Sequence, residues 1–380
     1  MPLSLMSALP KANTRAFAVA VVLAISVSAS AQTDPRVVVE VGAIAQDYPT
    51  GTDQTISELT IPVRASAAVI SGLEVSARTT YASVSGDDLE SLSGIGDTQL
   101  GANFRQPVGG GLVDLSLMLS LPTGQTALSE EQFATASVLA LDDYAFALPS
   151  FGQGMVFAPG LTIAVPVGSG LAFGGGVSYS MSSDYTPFAD ASSTYTPADE
   201  TILTGGLDAS LGGDSRFTLE GSYVLYGDDT FEGETFSPGD KVAGRMRLAL
   251  GSGAVRGSFL ARYRQVGDGT IGTPLRPVTY LRPNQAQVAL GLSFVQSMFD
   301  IGISSGVRFY GSIDDIENAS RETALAGQQV LLDLTASPTV RISPNATLMG
   351  SFTYTRGLGE EFGASPFTGT RAGAGVRVSL

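Results

Sequence analysis

The residues able to do chemistry in this 380-residue chain are mainly arginines and carboxylates, and the arginines fall at alternate positions. Lys241, Arg245 and Arg247 sit opposite Val242, Met246 and Leu248 in an every-second-residue rhythm. Arg256, Arg262 and Arg264 do the same against Val255, Phe259 and Tyr263; Arg308 follows, and Arg371 and Arg377 close the series. Guanidinium groups spaced in this way attract and orient anions without breaking bonds. The usual agents of nucleophilic and general-base catalysis are missing, since the chain has no His and no Cys. Gly302-Ile303-Ser304-Ser305-Gly306 has G-x-S-x-G spacing, but it lies inside an alternating segment with no helix after it. P-loop, dinucleotide and transition-metal patterns are absent. The chemistry on offer is electrostatic. It calls for no enzyme, no cofactor and no metal.

A period of two is the side-chain period of a strand. In Gly111–Leu121, Val113, Leu115, Leu117, Leu119 and Leu121 point one way, and Asp114, Ser116, Met118 and Ser120 the other. About sixteen such segments fill the chain, within a range of about 12–18. They start near Val37, Ile56, Leu73, Asp97, Gly111, Met155, Leu171, Thr201, Arg216, Lys241, Ala254, Gln285, Asp300, Gln328, Ala346 and Gly369. Short turns (71–72, 107–110, 168–170, 212–215, 251–253, 296–299, 343–345) alternate with longer polar loops. The longer ones are 47–55, 85–96, 122–154, 182–200, 227–240, 267–284, 311–327 and 357–368. A soluble sandwich has no reason to segregate its turns by length, whereas a membrane barrel has short periplasmic turns and long external loops. The fold expected is all-β: a transmembrane antiparallel β-barrel occupying 32–380, with an even strand count and termini on the short-turn side. An arginine on its lipid face at the midplane would cost about 2–4 kcal/mol. Arg245, Arg247, Arg256, Arg262, Arg264, Arg308, Arg371 and Arg377 are therefore assigned to the lumen. Phe104, Phe173, Phe217, Phe294, Phe309, Tyr81, Tyr179, Tyr226 and Tyr263 are assigned to outward girdles at the membrane interfaces.

Lys11 and Arg15 precede an apolar run over 16–27, and Ala29-Ser30-Ala31 supplies a cleavage site, so 1–31 reads as a secretory signal peptide. Export without any Cys means no disulfide framework. The net charge of −15 argues against nucleic acid as a partner. Together with a mean hydropathy of +0.21, these features place the chain in a bacterial outer membrane. The partners that follow are lipid and lipopolysaccharide, small solutes and the barrel-assembly machinery; an oligomer is compatible. The chain ends on Leu380, after Val376 and Val378, where an aromatic is usual.

Acids concentrate in the loops: Asp87, Asp88 and Glu90; Asp228, Asp229, Glu232 and Glu234; Asp314, Asp315 and Glu317; Glu360 and Glu361. Solubility and repulsion between neighbouring molecules are the simpler reading, since no loop has calcium-ligand spacing; the alternative is divalent cations bridging the acidic rim to lipopolysaccharide. The loop 122–154 is the longest, and loops of this length are functional or disordered. Ser129-Glu130-Glu131-Gln132 has capping-box spacing ahead of Phe133, Ala136 and Leu139, which predicts a helix over Glu130–Leu139. A second short helix is expected over 315–325. Folded inward, the long loop would set Glu130, Glu131, Asp142 and Asp143 across from the lumen arginines at a constriction; folded outward, it would be an external flap.

Ser93-Gly94-Ile95-Gly96-Asp97, followed by Leu121-Pro122-Thr123-Gly124, resembles the strand-start and strand-end motifs of the phenol meta-pathway family of outer-membrane transporters. The resemblance is clearest over about residues 73–180. It implies uptake of aromatic or other small hydrophobic compounds and carries over no catalytic residue. The functions left open are a channel for passive or facilitated diffusion of small aromatic or anionic solutes, and a structural or surface-interaction barrel working through its acidic loops.

Overall fold

The computed structural model describes residues 37–50, 54–87, 89–139, 146–148, 150–189, 193–251, 253–267, 269–272, 278–280, 284–310, 329–358 and 368–380. The signal segment 1–31 and the expected helix 315–325 lie outside them, as do Asp88, Asp142, Asp143, Asp314, Asp315, Glu317, Glu360 and Glu361. The strands up to the longest loop are β1 (Val37–Thr50), β2 (Gln54–Ile70), β3 (Leu73–Gly86), β4 (Leu89–Ile95), β5 (Thr98–Val108) and β6 (Gly111–Leu121). After helix α1 (Glu130–Leu139) come β7 (Val156–Val167), β8 (Leu171–Ser182), β9 (Tyr195–Thr196), β10 (Glu200–Gly212), β11 (Ser215–Tyr226), β12 (Asp229–Phe231), β13 (Glu234–Ser237) and β14 (Lys241–Leu250). The remainder are β15 (Val255–Val266), β16 (Gly269–Gly272), β17 (Val278–Tyr280), β18 (Gln285–Val295), β19 (Phe299–Tyr310), β20 (Gln329–Ser343), β21 (Ala346–Leu358) and β22 (Thr368–Ser379).

Each long strand pairs antiparallel with its sequence neighbour, and β22 returns to pair with β1, so sixteen staves close a barrel. The seam is tied by reciprocal backbone bonds between Val37 and Leu380. β4 and β5 pair end to end along β3, making one stave interrupted at Gly96-Asp97. At the short turns 71–72, 107–110, 168–170, 212–215 and 251–253 glycines take left-handed conformations. At Gly72, φ is +83° and a Cβ would sit 2.3 Å from the Arg105 carbonyl oxygen, so only glycine turns the chain there.

Register fixes the faces, because directly opposed residues share one. Gln46 opposes Glu58, Glu58 opposes Val84, and Arg371 opposes Gln46 from the other side, so the assignment runs consistently around the circuit. The opposite, outer face carries Leu115, Leu117, Ile163, Phe173, Leu203, Leu290, Ile303, Leu334 and Phe352, all large, apolar and exposed. Among the described residues nothing packs over this face once the barrel closes, so its solvent is lipid. No described helix is long and apolar enough to cross a membrane; the strands do the crossing.

Three expectations are corrected. Tyr226 belongs to the inner face, where the Lys241 ammonium donates to its hydroxyl and sits 4.2 Å from its ring centroid. The first two long loops are largely strand: β1 and β2 extend to Thr50 and from Gln54, and β4 pairs back onto β3. Extended backbone satisfies its own hydrogen bonds by pairing, which a polar loop over the same span would leave to water. The loops following β8, β11 and β15 also pair, forming a five-stranded external sheet in the order β17-β16-β13-β12-β9.

Most of the buried hydrophobic residues form one cluster inside the barrel mouth at the long-loop end. Tyr48, Ile56, Ala82, Val84, Leu92 and Leu331 project from the inner wall and meet Leu128, Leu139, Phe146 and Phe151 of the β6–β7 connection.

Candidate functional site

The site is the connection between β6 and β7, seated against the inner wall. Its two feet converge on Asp97. One carboxylate oxygen accepts the Gly124 N–H at 2.9 Å and the other the Gln153 N–H at 2.8 Å. The Thr123 hydroxyl accepts the Thr98 N–H at 2.9 Å and donates to the Gly96 carbonyl at 3.1 Å. Gly124 runs so close to the returning chain that a Cβ would lie 1.7 Å from the Phe151 carbonyl oxygen. The Gly-x-Gly-Asp and Pro-Thr-Gly segments, 27 residues apart from Asp97 to Gly124, are thus one latch in space.

Beyond the first foot, Ser129 caps α1 as its spacing predicts. The Gln132 N–H donates to the Ser129 hydroxyl, and the Gln132 side-chain oxygen accepts the Ser129 N–H, both at 3.2 Å. Thr135, fully buried, donates to the Glu90 carbonyl at 2.8 Å and ties α1 to β4. After the helix, Phe146 packs edge-on against Tyr48 with ring centroids 5.1 Å apart. The Glu58 carboxylate, 2% exposed, accepts the Ala147 N–H at 2.8 Å and the Leu148 N–H at 3.0 Å. A buried carboxyl group holding two amides is a fixed attachment point, because leaving it buried without those partners would be strongly unfavourable. Glu58 is the inner anchor of the loop.

Glu130 and Glu131 occupy the first turn of α1 and are exposed. The Glu131 carboxyl is held below its usual range by its own backbone N–H and by the Ser129 hydroxyl. Among the described residues neither forms an ion pair with an arginine. Asp142 and Asp143 lie outside the described residues.

Register places Lys241, Arg245, Arg247, Arg256, Arg262, Arg264, Arg308, Arg371 and Arg377 on the same face as Glu58. Carboxylates besides Asp114 share that face, whereas the sequence reading concentrated the acids in the loops. Arg245 meets Glu220 at 2.5 Å, Arg377 meets Glu40 at 3.4 Å and Arg256 meets Asp214 at 3.6 Å. Arg105 pairs with Asp114 and Arg216 with Asp208. These pairs are solvated, worth about 0–1 kcal/mol each, and chiefly neutralise charge. Arg308 and Asp333 differ: with side chains 13% and 16% exposed, they bond at 2.8 and 3.1 Å, and Asp333 also accepts from Thr355.

Beside the seated loop lies a cavity of about 420 Å3, lined by Leu139 and Phe146 of the loop and by Tyr48, Arg262, Arg264, Arg308 and Arg371 of the inner wall. A second, about 470 Å3, lies against Ala147 and Leu148 and is lined by Arg64, Arg78 and Arg371. A third, about 650 Å3, follows the wall of β7, β8, β10, β11, β14 and β15, where Gly174 and Gly206 keep side chains out of the way.

No protein-family model and no curated protein matches the chain. Solved structures of similar course are bacterial outer-membrane barrels. A loop-deletion mutant of OmpT, an outer membrane protein of Vibrio cholerae, has 10% identity and a TM-score of 0.41, over 91% of this chain and 100% of that one. An outer-membrane channel from Pseudomonas putida F1 has 12% identity and a TM-score of 0.37, over 92% and 97%. A mutant Rh. blastica porin has 14% identity and a TM-score of 0.34, over 91% and 99%.

Sequence reasoning missed Glu58, Tyr48, Ile56, Val84 and Leu92. Their signal was phase: each is an apolar or acidic residue at the loop end of a strand, in step with the polar face rather than the lipid face.

Proposed function

We propose that this chain is an outer-membrane channel passing small solutes by diffusion through a lumen lined by Arg245, Arg247, Arg256, Arg262, Arg264, Arg308, Arg371 and Arg377. The observation that carries the reading is the loop seated on one wall while a cavity lined by inner-wall arginines remains beside it. Sixteen staves enclose a lumen wide enough for water and solute unless something fills it. The loop narrows that lumen, and Glu130, Glu131, Asp142 and Asp143 supply the acidic side of a transverse field across it. The family resemblance supports small aromatic solutes, and the arginines support anions. The segment 1–31 directs export, lipid and lipopolysaccharide surround the folded barrel, and the assembly machinery reads its last strand. No catalytic step is assigned.

Planar-bilayer recording of the purified protein tests this. Stepwise ion currents are expected, and deletion of 125–152 is expected to enlarge each step. A silent bilayer with a correctly folded protein would sink the channel reading and favour a surface role for the acidic loops. Equal steps with and without the loop would sink its role as a sieve.

A further inference from the structure

Charge is sorted along the barrel axis on one side of the molecule. The inner face of β14 and β15 carries Lys241, Arg245, Arg247, Arg256, Arg262 and Arg264, and neither strand contains a carboxylate. Neighbouring segments supply Glu220 for Arg245 and Asp214 for Arg256, which leaves this wall positive. Beyond its long-loop end the chain reverses sign. β11 runs on into the hairpin of β12 and β13 and returns as β14, and the segment 227–240 between them holds Asp228, Asp229, Glu232, Glu234 and Asp240 with no Lys or Arg. The segment 183–199, which supplies β9, is also acidic and also lacks Lys and Arg. Asp228, Glu232 and Glu234 are exposed and form no ion pair among the described residues. Asp229 and Asp240 accept the hydroxyls of Tyr195 and Tyr223. Pairing of β12 with β9 and of β13 with β16 holds the acidic hairpin in place.

A solute following the cavity along β7, β8, β10, β11, β14 and β15 therefore meets an acidic zone outside and a basic zone within. The ten residues of β14 span about 33 Å. That is well beyond the Debye length of about 10 Å at 0.1 M salt, so the two zones act on mobile ions separately. Cations collect at the mouth and anions along the wall. We propose that the barrel is a rectifier, passing more current when the external side is positive. The proposal rests on the channel reading above. With that polarity cations enter through the acidic mouth while anions climb the arginine wall, so both accumulate where the zones meet and conductance rises. The opposite polarity draws both away from that junction, and conductance falls.

The test is single-channel current–voltage recording on the full barrel in symmetric KCl, with orientation read from T230C. The chain has no cysteine of its own and Thr230 is exposed on β12, so a maleimide too large to cross the pore marks the external side. At 0.1 M salt the current with the external side positive is expected to exceed the reverse current by about twofold, and at 1 M, where the Debye length is about 3 Å, the ratio should fall to about one. D228K/E232K/E234K gives the mouth the sign of the wall, so it should abolish rectification and shift the reversal potential in a KCl gradient toward anion selectivity. R247Q/R262Q, both at exposed positions, should weaken rectification from the other end and shift the reversal potential toward cations. Folding is checked by heat-modifiable gel mobility; should the lysine variant not fold, D228N/E232Q/E234Q decides in its place, with a ratio lowered toward one. Ohmic wild-type current at 0.1 M, a larger current with the external side negative, or wild-type ratios in both sets of variants would overturn the rectifier and leave the channel standing. A correctly folded barrel that passes no current overturns the channel reading itself.

Discussion

Asp97 and Glu58 hold the loop in different ways, and substitution separates them. Asp97 clasps the two feet, so D97A frees the Gly124 and Gln153 amides together. Amide hydrogen exchange at those two positions is expected to rise by about tenfold or more, since each lost charge-assisted bond is worth about 1.5–3 kcal/mol. Unchanged protection would mean that the feet are held by packing alone. Glu58 grips the middle. E58Q keeps one acceptor but turns an amide N–H toward a backbone N–H, so it should loosen the segment around Ala147 and Leu148 nearly as much as E58A does. Limited proteolysis of the folded barrel checks this: wild-type resistance in E58Q would show that one acceptor suffices. The Arg308–Asp333 pair is the other residue-scale commitment. Both side chains are mostly buried, so D333A strands a charge and is expected to destabilise by about 3 kcal/mol, read as a lower urea midpoint. The solvated Arg245–Glu220 pair should show about 0–1 kcal/mol under the same treatment.

At the scale of elements, α1 is short, and ten residues do not hold a helix in water unaided. It persists because its N-terminus is capped by Ser129 and Gln132 and its Thr135 face lies on β4. S129A is expected to cost about 1 kcal/mol of local stability, measured as faster exchange of the first-turn amides with the barrel strands unaffected. Faster exchange throughout the barrel would place the cap in global stability instead. The capping box was legible because it is a local pattern of four residues. The five-stranded external sheet was not: β12 and β13 are adjacent, but β9 and β16 reach them from other loops, and pairing between loops leaves no period in any one of them.

For the whole molecule, closure turns alternation into a boundary between lipid and water. Leu290, 63% exposed on the outer face of β18, and its neighbour Ser293 on the inner face make a paired test. L290R should cost about 2–4 kcal/mol and lower the yield of folded barrel in lipid, whereas S293R should fold normally. Equal folding of both would contradict the assignment of faces. The sixteen staves were legible almost to the residue, with expected starts such as Val37, Leu73, Gly111, Leu171, Lys241, Gln285 and Ala346 coinciding with observed ones. Tyr226 was misplaced because an aromatic at a strand end suggests a girdle wherever its phase is not followed, and its phase is that of Glu220 and Ser222.

The sequence alone settled what a strand's backbone dictates locally: a period of two, the face that meets lipid, the even number of staves, and the cap of one helix. Only the tertiary structure decided what the inner face does. Glu58 bonds to a chain segment 89 residues away, and Asp97 to residues 27 and 56 away. Pairing of Arg245 with Glu220 depends on register between strands. Each strand can be read by itself because the pleat repeats within it. Which charges neutralise one another, and where a loop finds its seat, are relations between strands that exist only once the barrel closes.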